Sequence, residues 1–162
     1  QEDFKNAEKF FRLAIRTKPT LENLTALYLF EKEVKPPPDS TLLSQAENLA
    51  WNDDDKDNVI SLAEIYENKN PRKAEEILQK AYAFWDDETT LRSLISVYEK
   101  ENKNEEITSL IQQRLDTHKS VSDKLKKYLI AHYYLQDDYD KILLNRKLCF
   151  EIGTTDILKY LF

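Results

Sequence analysis

Apolar residues recur along this chain at offsets of 0, 3, 4 and 7, with an aromatic ring closing three of the four sets. Val59, Leu62, Ala63 and Tyr66 fit the pattern, and Leu91, Leu94, Ile95 and Tyr98 fit it again. Leu24, Leu27 and Tyr28 form a further copy with Glu31 in the aromatic slot. Ile130, Ala131 and Tyr134 form another with Lys127 in the first slot. On an α-helix these offsets place four side chains on one stripe, so each copy predicts an amphipathic helix that buries it. The copies begin at positions 24, 59, 91 and 127, with steps of 35, 32 and 36 residues. Steps of about 34 residues are those of a helix pair repeated in tandem. A second helical pattern accompanies the first, through Ala7, Phe11 and Ala14 and again through Ala74, Leu78 and Ala81. Its small residues let a neighbouring helix approach closely.

The pattern predicts nine helices, at about residues 2–17, 21–34, 41–52, 57–68, 71–84, 89–102, 104–117, 121–136 and 138–152, with a tenth starting near 155. Pro71 suits a first helical turn, where its missing N–H costs nothing. Asp57, Thr89 or Thr90, and Ser120 or Ser122 are candidate N-caps. Asp53–Asp55, Asp86–Glu88 and Asp137–Asp138 put negative charge ahead of helix N-termini, where the macrodipole favours it. Pro36-Pro37-Pro38 predicts a stiff extended corner, too short for a domain boundary.

Composition narrows the function classes. A single glycine, Gly153, in 162 residues argues against a Rossmann site, a phosphate-cradling loop and a Greek-key sandwich. A net charge of −6 argues against a general nucleic-acid binder. Cys149 is the only cysteine, so neither an intrachain disulfide nor a cysteine-based zinc site can form, and the cytoplasm is the favoured compartment. No apolar run reaches membrane-spanning length. The chain lacks methionine and opens on Gln-Glu-Asp-Phe, which leads to the expectation that it is a piece of a longer protein.

At these residues the chain resembles the tetratricopeptide repeat family. The segment NAEKFFRLAIRTKP is similar to that family's second helix through Ala7, Phe11, Ala14 and Pro19. VISLAEIYENKNPRKAEEILQKA is similar to a whole helix pair through Val59, Leu62, Ala63, Tyr66, Ala74 and Ala81. DDYDKILLNRKLCFEIG is similar to another second helix, with Ile142 and Cys149 in the small slots. Tyr28 and Ile95 replace the family's small first-helix residue, and Arg146 stands where a large apolar residue is expected. The resemblance implies an all-α, right-handed solenoid of stacked antiparallel pairs, with about nine to ten helices. Its units would be residues 1–20, 21–53, 54–86, 87–119, 120–153 and a partial 154–162 of a single array. Cut this way, the array would expose Ala7 and Phe11 at one end and Leu158, Leu161 and Phe162 at the other, so further repeats or domains are expected to cover both ends.

Catalytic constellations are weak. His118 and His132 are the only histidines, and no nucleophile–histidine–carboxylate order emerges. The sequence reads as non-enzymatic, without cofactor or metal. Asp53 to Glu64 does match the spacing of an EF-hand loop, with Asp53, Asp55, Asp57, the Val59 carbonyl, Ser61 and Glu64 as oxygen ligands. Asn58 occupies the glycine position, and the equivalent joint at 86–91 keeps the length without the ligands, so an acidic inter-repeat turn is the favoured reading.

In a solenoid, the face next to each buried stripe lines a concave groove. Its residues fall one and five places after the stripe's first member: Thr25 and Leu29, Ile60 and Glu64, Arg92 and Ser96, Tyr128 and His132. Such a mixed surface suits an extended peptide or a partner helix. Some family members clamp a terminal carboxylate with basic and amide groups; here only Arg92 is suitable, so no such clamp is expected. Lys124, Lys126 and Lys127 form a basic run that either meets an acidic partner or is a solvated face. The leading expectation is a scaffold that binds protein or peptide partners in the groove or at the array ends, with neither nucleic acid nor membrane insertion. The alternatives are a ligand-responsive solenoid with a calcium loop at 53–64, and a helical domain attached to a catalytic domain elsewhere.

Overall fold

The computed structural model describes residues 2–117 and 119–153; His118 and the expected helix beyond 154, with Leu158, Leu161 and Phe162, lie outside the described residues. Among the described residues there are ten α-helices, one 3-10 turn and no strand. In chain order they are α1 (Glu2–Thr17), α2 (Leu21–Val34), α3 (Thr41–Glu47), the 3-10 turn Asp53–Asp55, α4 (Lys56–Glu67) and α5 (Pro71–Trp85). Then follow α6 (Glu88–Lys100), α7 (Asn104–Asp116), α8 (Asp123–Leu135), α9 (Tyr139–Leu144) and α10 (Arg146–Ile152). The fold is all-α, and helices adjacent in sequence pack on one another. None of these helices is long and apolar enough to cross a membrane. The chain divides into two compact units, residues 1–94 and 95–162, with the division inside α6. In the first, α2 packs on α1, α3 and α4, and α4 runs along α5; in the second, α8 packs on α7, α9 and α10.

The stripes read from the sequence form the core. Leu24, Leu27, Tyr28 and Glu31 are buried, as are Val59, Leu62 and Ala63, and Leu91, Leu94, Ile95 and Tyr98. Ala74, Leu78 and Ala81 of α5 are buried as well. The fourth copy sits one residue earlier than its spacing suggested. Tyr133 is 5% exposed whereas Tyr134 is 48% exposed, and Leu125, Leu129, Ile130 and Ala131 are buried with Tyr133. Two adjacent lysines fit the first slot equally well in sequence. Lys126, half-buried, reaches Glu151 of α10 at 3.3 Å and Asp123 at 3.4 Å. The basic run Lys124–Lys127 is thereby partly committed inside the fold.

Helix ends follow side-chain chemistry. With one glycine in the chain, left-handed turns fall to Asp86 (φ 49°), Asn102 (φ 57°) and Asp137 (φ 54°), residue types that tolerate that region. The helix expected at 41–52 stops at Glu47. Trp51 then leaves the backbone run to stack on Trp85, 5.7 Å between ring centres, with Phe84 edge-on to Trp85 at 4.9 Å. The helix expected at 138–152 divides at Asn145, whose amide donates to the Lys141 carbonyl at 2.9 Å and to Gln112 Oε1 at 3.0 Å. A side chain that bonds nearby backbone competes with the helical ladder there. Asp57 is not a cap. Asn52 and Asp55 form a reciprocal capping box one turn earlier.

Asp87, rather than Thr89 or Thr90, opens α6. Its Oδ1 accepts from the Thr90 N–H and hydroxyl, both at 2.9 Å, and its Oδ2 accepts from Lys56 Nζ at 2.5 Å. Burial pushes the Asp87 carboxyl up, but the Lys56 ammonium and the two Thr90 donors outweigh it and hold it below the usual carboxylate range. The contact therefore contributes its full stability above that range and loses it as pH falls through the lowered value. The urea midpoint of the wild type is expected to fall between about pH 5 and pH 2, and Asp87→Asn is expected to flatten part of that slope. An unchanged slope in Asp87→Asn contradicts this assignment.

Candidate functional site: an open polar trough on α7 and α8

The sequence of α7 divides into two faces. Ile107, Ile111 and Arg114 are buried, and the Arg114 guanidinium donates from Nε to the Ser120 carbonyl at 2.7 Å. Glu105, Ser109, Gln112 and Asp116, spaced 4, 3 and 4 residues apart, form a polar stripe on another face. That stripe is one wall of an open trough of about 1130 Å³; His132 and Tyr133 of α8, with Gln136, Asp138 and Lys141, form the other.

The floor of the trough is held by its own hydrogen bonds. Gln112 Nε2 donates to Asp116 Oδ1 at 2.8 Å, while Gln112 Oε1 accepts from Asn145 at 3.0 Å and from the Tyr133 hydroxyl at 3.3 Å. Lys141 Nζ lies 2.7 Å from Asp138 and 5.1 Å from the centre of the Tyr133 ring. Lys103 Nζ lies 2.6 Å from Glu101 and 5.4 Å from the Tyr98 ring centre. Burial pushes the His132 imidazole down; Glu105 opposes that shift and Lys141 adds to it, so the ring is neutral at pH 7. Burial likewise pushes the Tyr133 phenol up. Other lining groups are unspent. The side chains of Asn102, Ser109, Gln113 and Gln136 make no hydrogen bond among the described residues, and Glu105 and Glu106 make no ion pair. The trough thus offers amide donors and acceptors above a fixed floor, the chemistry that holds a polar, extended ligand.

The eight groove residues expected from the sequence fall elsewhere, with one exception. Thr25 is buried, its hydroxyl donating to the Leu21 carbonyl at 2.8 Å, so it is corrected from a groove position to a core one. Leu29 is exposed on α2; Ile60 is half-buried and Glu64 exposed on α4. Arg92 is exposed but bound to Glu88 through Nε and Nη2 at 3.0 and 2.6 Å, and Ser96 is half-buried. These five from Thr25 to Arg92 belong to the first unit, and Ser96, Tyr128 and His132 to the second. Tyr128 donates to Asn104 Oδ1 at 3.0 Å, and His132 lines the trough. The α7 stripe was missed, although its 4-3-4 spacing of polar residues was visible.

The acidic segment 53–64 is a 3-10 turn followed directly by helix, with Asp55 Oδ2 accepting from the Asn52 N–H at 3.0 Å. A loop that wraps a cation needs non-helical backbone over its first nine positions, and here helix begins at Lys56. Among the described residues no group of three or more His, Cys, Asp or Glu converges on a metal-sized point.

Comparison with protein-family models, curated proteins and solved structures returned no match. The trough is therefore interpreted from its own chemistry.

Proposed function

We propose that the chain is a tetratricopeptide-like interaction module whose second unit holds an extended peptide segment of a partner protein in the α7–α8 trough. The observation that carries this reading is the set of unspent amides on Asn102, Gln113 and Gln136 around a floor that Gln112, Asn145 and Tyr133 already satisfy. Free amides can pair with a peptide main chain, and a pre-formed floor keeps the ordering cost of binding low. The tandem-repeat reading is supported by the near-34-residue spacing of the buried stripes and by direct packing of α2 on α4, the stripe-bearing helices of successive copies.

A substitution that fills the trough without touching the core tests this. Ser109 is exposed, so Ser109→Trp is expected to leave the urea midpoint within about 0.5 kcal/mol of wild type. Binding to an array of extended decapeptides is expected to fall at least about tenfold for those the wild type retains. Equal retention by Ser109→Trp overturns the reading.

A further inference from the structure

We propose that α1 pairs with the α1 of a second copy of this chain, antiparallel about a two-fold axis between Phe10 and Phe11. This surface belongs to the first unit, and the proposal is independent of the trough. One side of α1 is spent on α2. Phe4 and Phe11 lie 6.4 and 5.5 Å from the Phe30 ring, and Arg12 pairs with Glu31. The side that turns away carries Phe10, 70% exposed, and Leu13, 57% exposed. Ala7, Phe10, Phe11 and Ala14, with Asn23 of α2, line an open cavity of about 410 Å³ there. Residues at i, i+3, i+4 and i+7 are the four that form a hole for a side chain of a facing helix. Two alanines keep this hole wide and let a second helix approach closely.

The side chain that fills the hole is on the same helix. Asp3, Ala7, Phe10, Phe11, Ala14 and Lys18 follow one another at steps of 4, 3, 1, 3 and 4 residues, a palindrome in both spacing and residue type. The Lys18 N–H donates to the Ala14 carbonyl at 2.9 Å, so Lys18 continues the helical turn. An antiparallel copy therefore sets Ala7 against Ala14, Phe10 against Phe11 and Asp3 against Lys18, each twice. The Phe10 ring of each copy then enters the hole of the other. Asp3 and Lys18 are exposed and make no ion pair among the described residues, so both are available to the second copy. A parallel copy would set like charges together at both ends. The same self-complementary patch on both copies is what a closed two-fold dimer requires. A face of one 16-residue helix stays below about 1,200 Å² of buried surface, so the dimer is weak, with a Kd of about 1–100 μM.

Sedimentation equilibrium of the full chain over about 1–300 μM tests this. The wild type is expected to pass from monomer to dimer, with no larger species. Phe10→Glu is expected to raise the Kd at least about tenfold. Phe150→Glu replaces a ring that is 85% exposed on α10 and is expected to leave the Kd within about twofold of wild type. Asp3→Lys and Lys18→Glu, measured separately at about 50 mM salt, are each expected to weaken the dimer about three- to tenfold. Mixed in equal amounts, these two variants are expected to return to within about twofold of the wild-type Kd, because each copy then meets an opposite charge at both ends. Mixing does not rescue a helix that is merely weakened, so the mixture separates pairing from damage to α1. A chain that stays monomeric throughout the range, species larger than a dimer, an equal effect of Phe150→Glu, or no gain on mixing each overturns the proposal.

Discussion

Leu62→Ala is expected to destabilise the protein by about 2–5 kcal/mol, read as a fall in the urea midpoint of the first unit with little change in slope. Leu62 is fully buried, and its stripe neighbours Val59 and Ala63 are equally inaccessible to water. The helix carrying it lies along α5, which presents Ala74, Leu78 and Ala81 from its own core positions. Small residues bring the two helices close, so the leucine is enclosed by backbone as well as by side chains, and the site cannot collapse easily around a cavity. The cost then combines lost transfer energy with the lost contacts of the cavity lining. Leu29→Ala supplies the contrast. Leu29 lies on α2, one helix face away from Leu24, Leu27 and Tyr28, and is 41% exposed. Its truncation is expected to change stability by about 0.5 kcal/mol or less. Similar effects for the two substitutions contradict the assignment of the buried stripe.

The second large effect is asymmetric. Arg12→Ala is expected to cost about 2–3 kcal/mol, more than Glu31→Gln, although Arg12 is the more exposed of the two. Glu31 occupies the slot where the repeat pattern calls for an aromatic ring, and it is 4% exposed. Its Oε1 accepts from Arg12 Nη2 of α1 at 2.6 Å, and its Oε2 accepts from the Asp39 N–H at 2.8 Å. One carboxylate thus ties α1 and the segment after Pro38 to α2. Removing Arg12 strands a buried anion with a single donor, whereas removing the Glu31 charge leaves a guanidinium that is 43% exposed and still paired with Glu8. Water reaching Arg12 keeps the figure below that of a fully enclosed pair. Arg12→Ala/Glu31→Leu removes both charges and fills the slot with an apolar side chain, so it is expected to recover most of the loss. Chemical denaturation of the four proteins checks this. If the double variant is as unstable as Arg12→Ala, the stranded charge is not the cause.

Glu31 also shows what kind of information was legible along the chain. Its offset marked it as a core position, and the residue type contradicted that assignment. The contradiction was resolved nineteen residues upstream, by Arg12, and eight downstream, by the Asp39 N–H. Periodicity reports which face a residue occupies, because helix geometry is local. It does not report which distant group satisfies a buried charge, because that partner is brought in by packing.

The fourth stripe and the trough illustrate the same division. Lys126 and Lys127 are adjacent and chemically identical, so pattern alone could not choose between them. Burial of Tyr133 rather than Tyr134 is set by how α8 packs on α7, α9 and α10. The trough was legible only in fragments. His132 was nominated, but the α7 residues that share the trough with it were not. The α7 stripe of Glu105, Ser109, Gln112 and Asp116 looked like an ordinary solvated face, since nothing in its own sequence says that α8 and α9 rise beside it. Conversely, Asp53 to Glu64 looked like a ligand loop because ligand spacing is a property of sequence. Whether the backbone can wrap an ion depends on conformation, and here it is helical.

By itself, then, the order of residues determined the all-α class, most helix limits and the buried stripes, because each depends on side chains within one or two turns of each other. Tertiary structure decided the register of α8, the break at Asn145, the fate of Glu31 and the existence of the trough. Each of those depends on groups far apart in the chain, whose meeting is set by how helices pack rather than by what any one helix prefers.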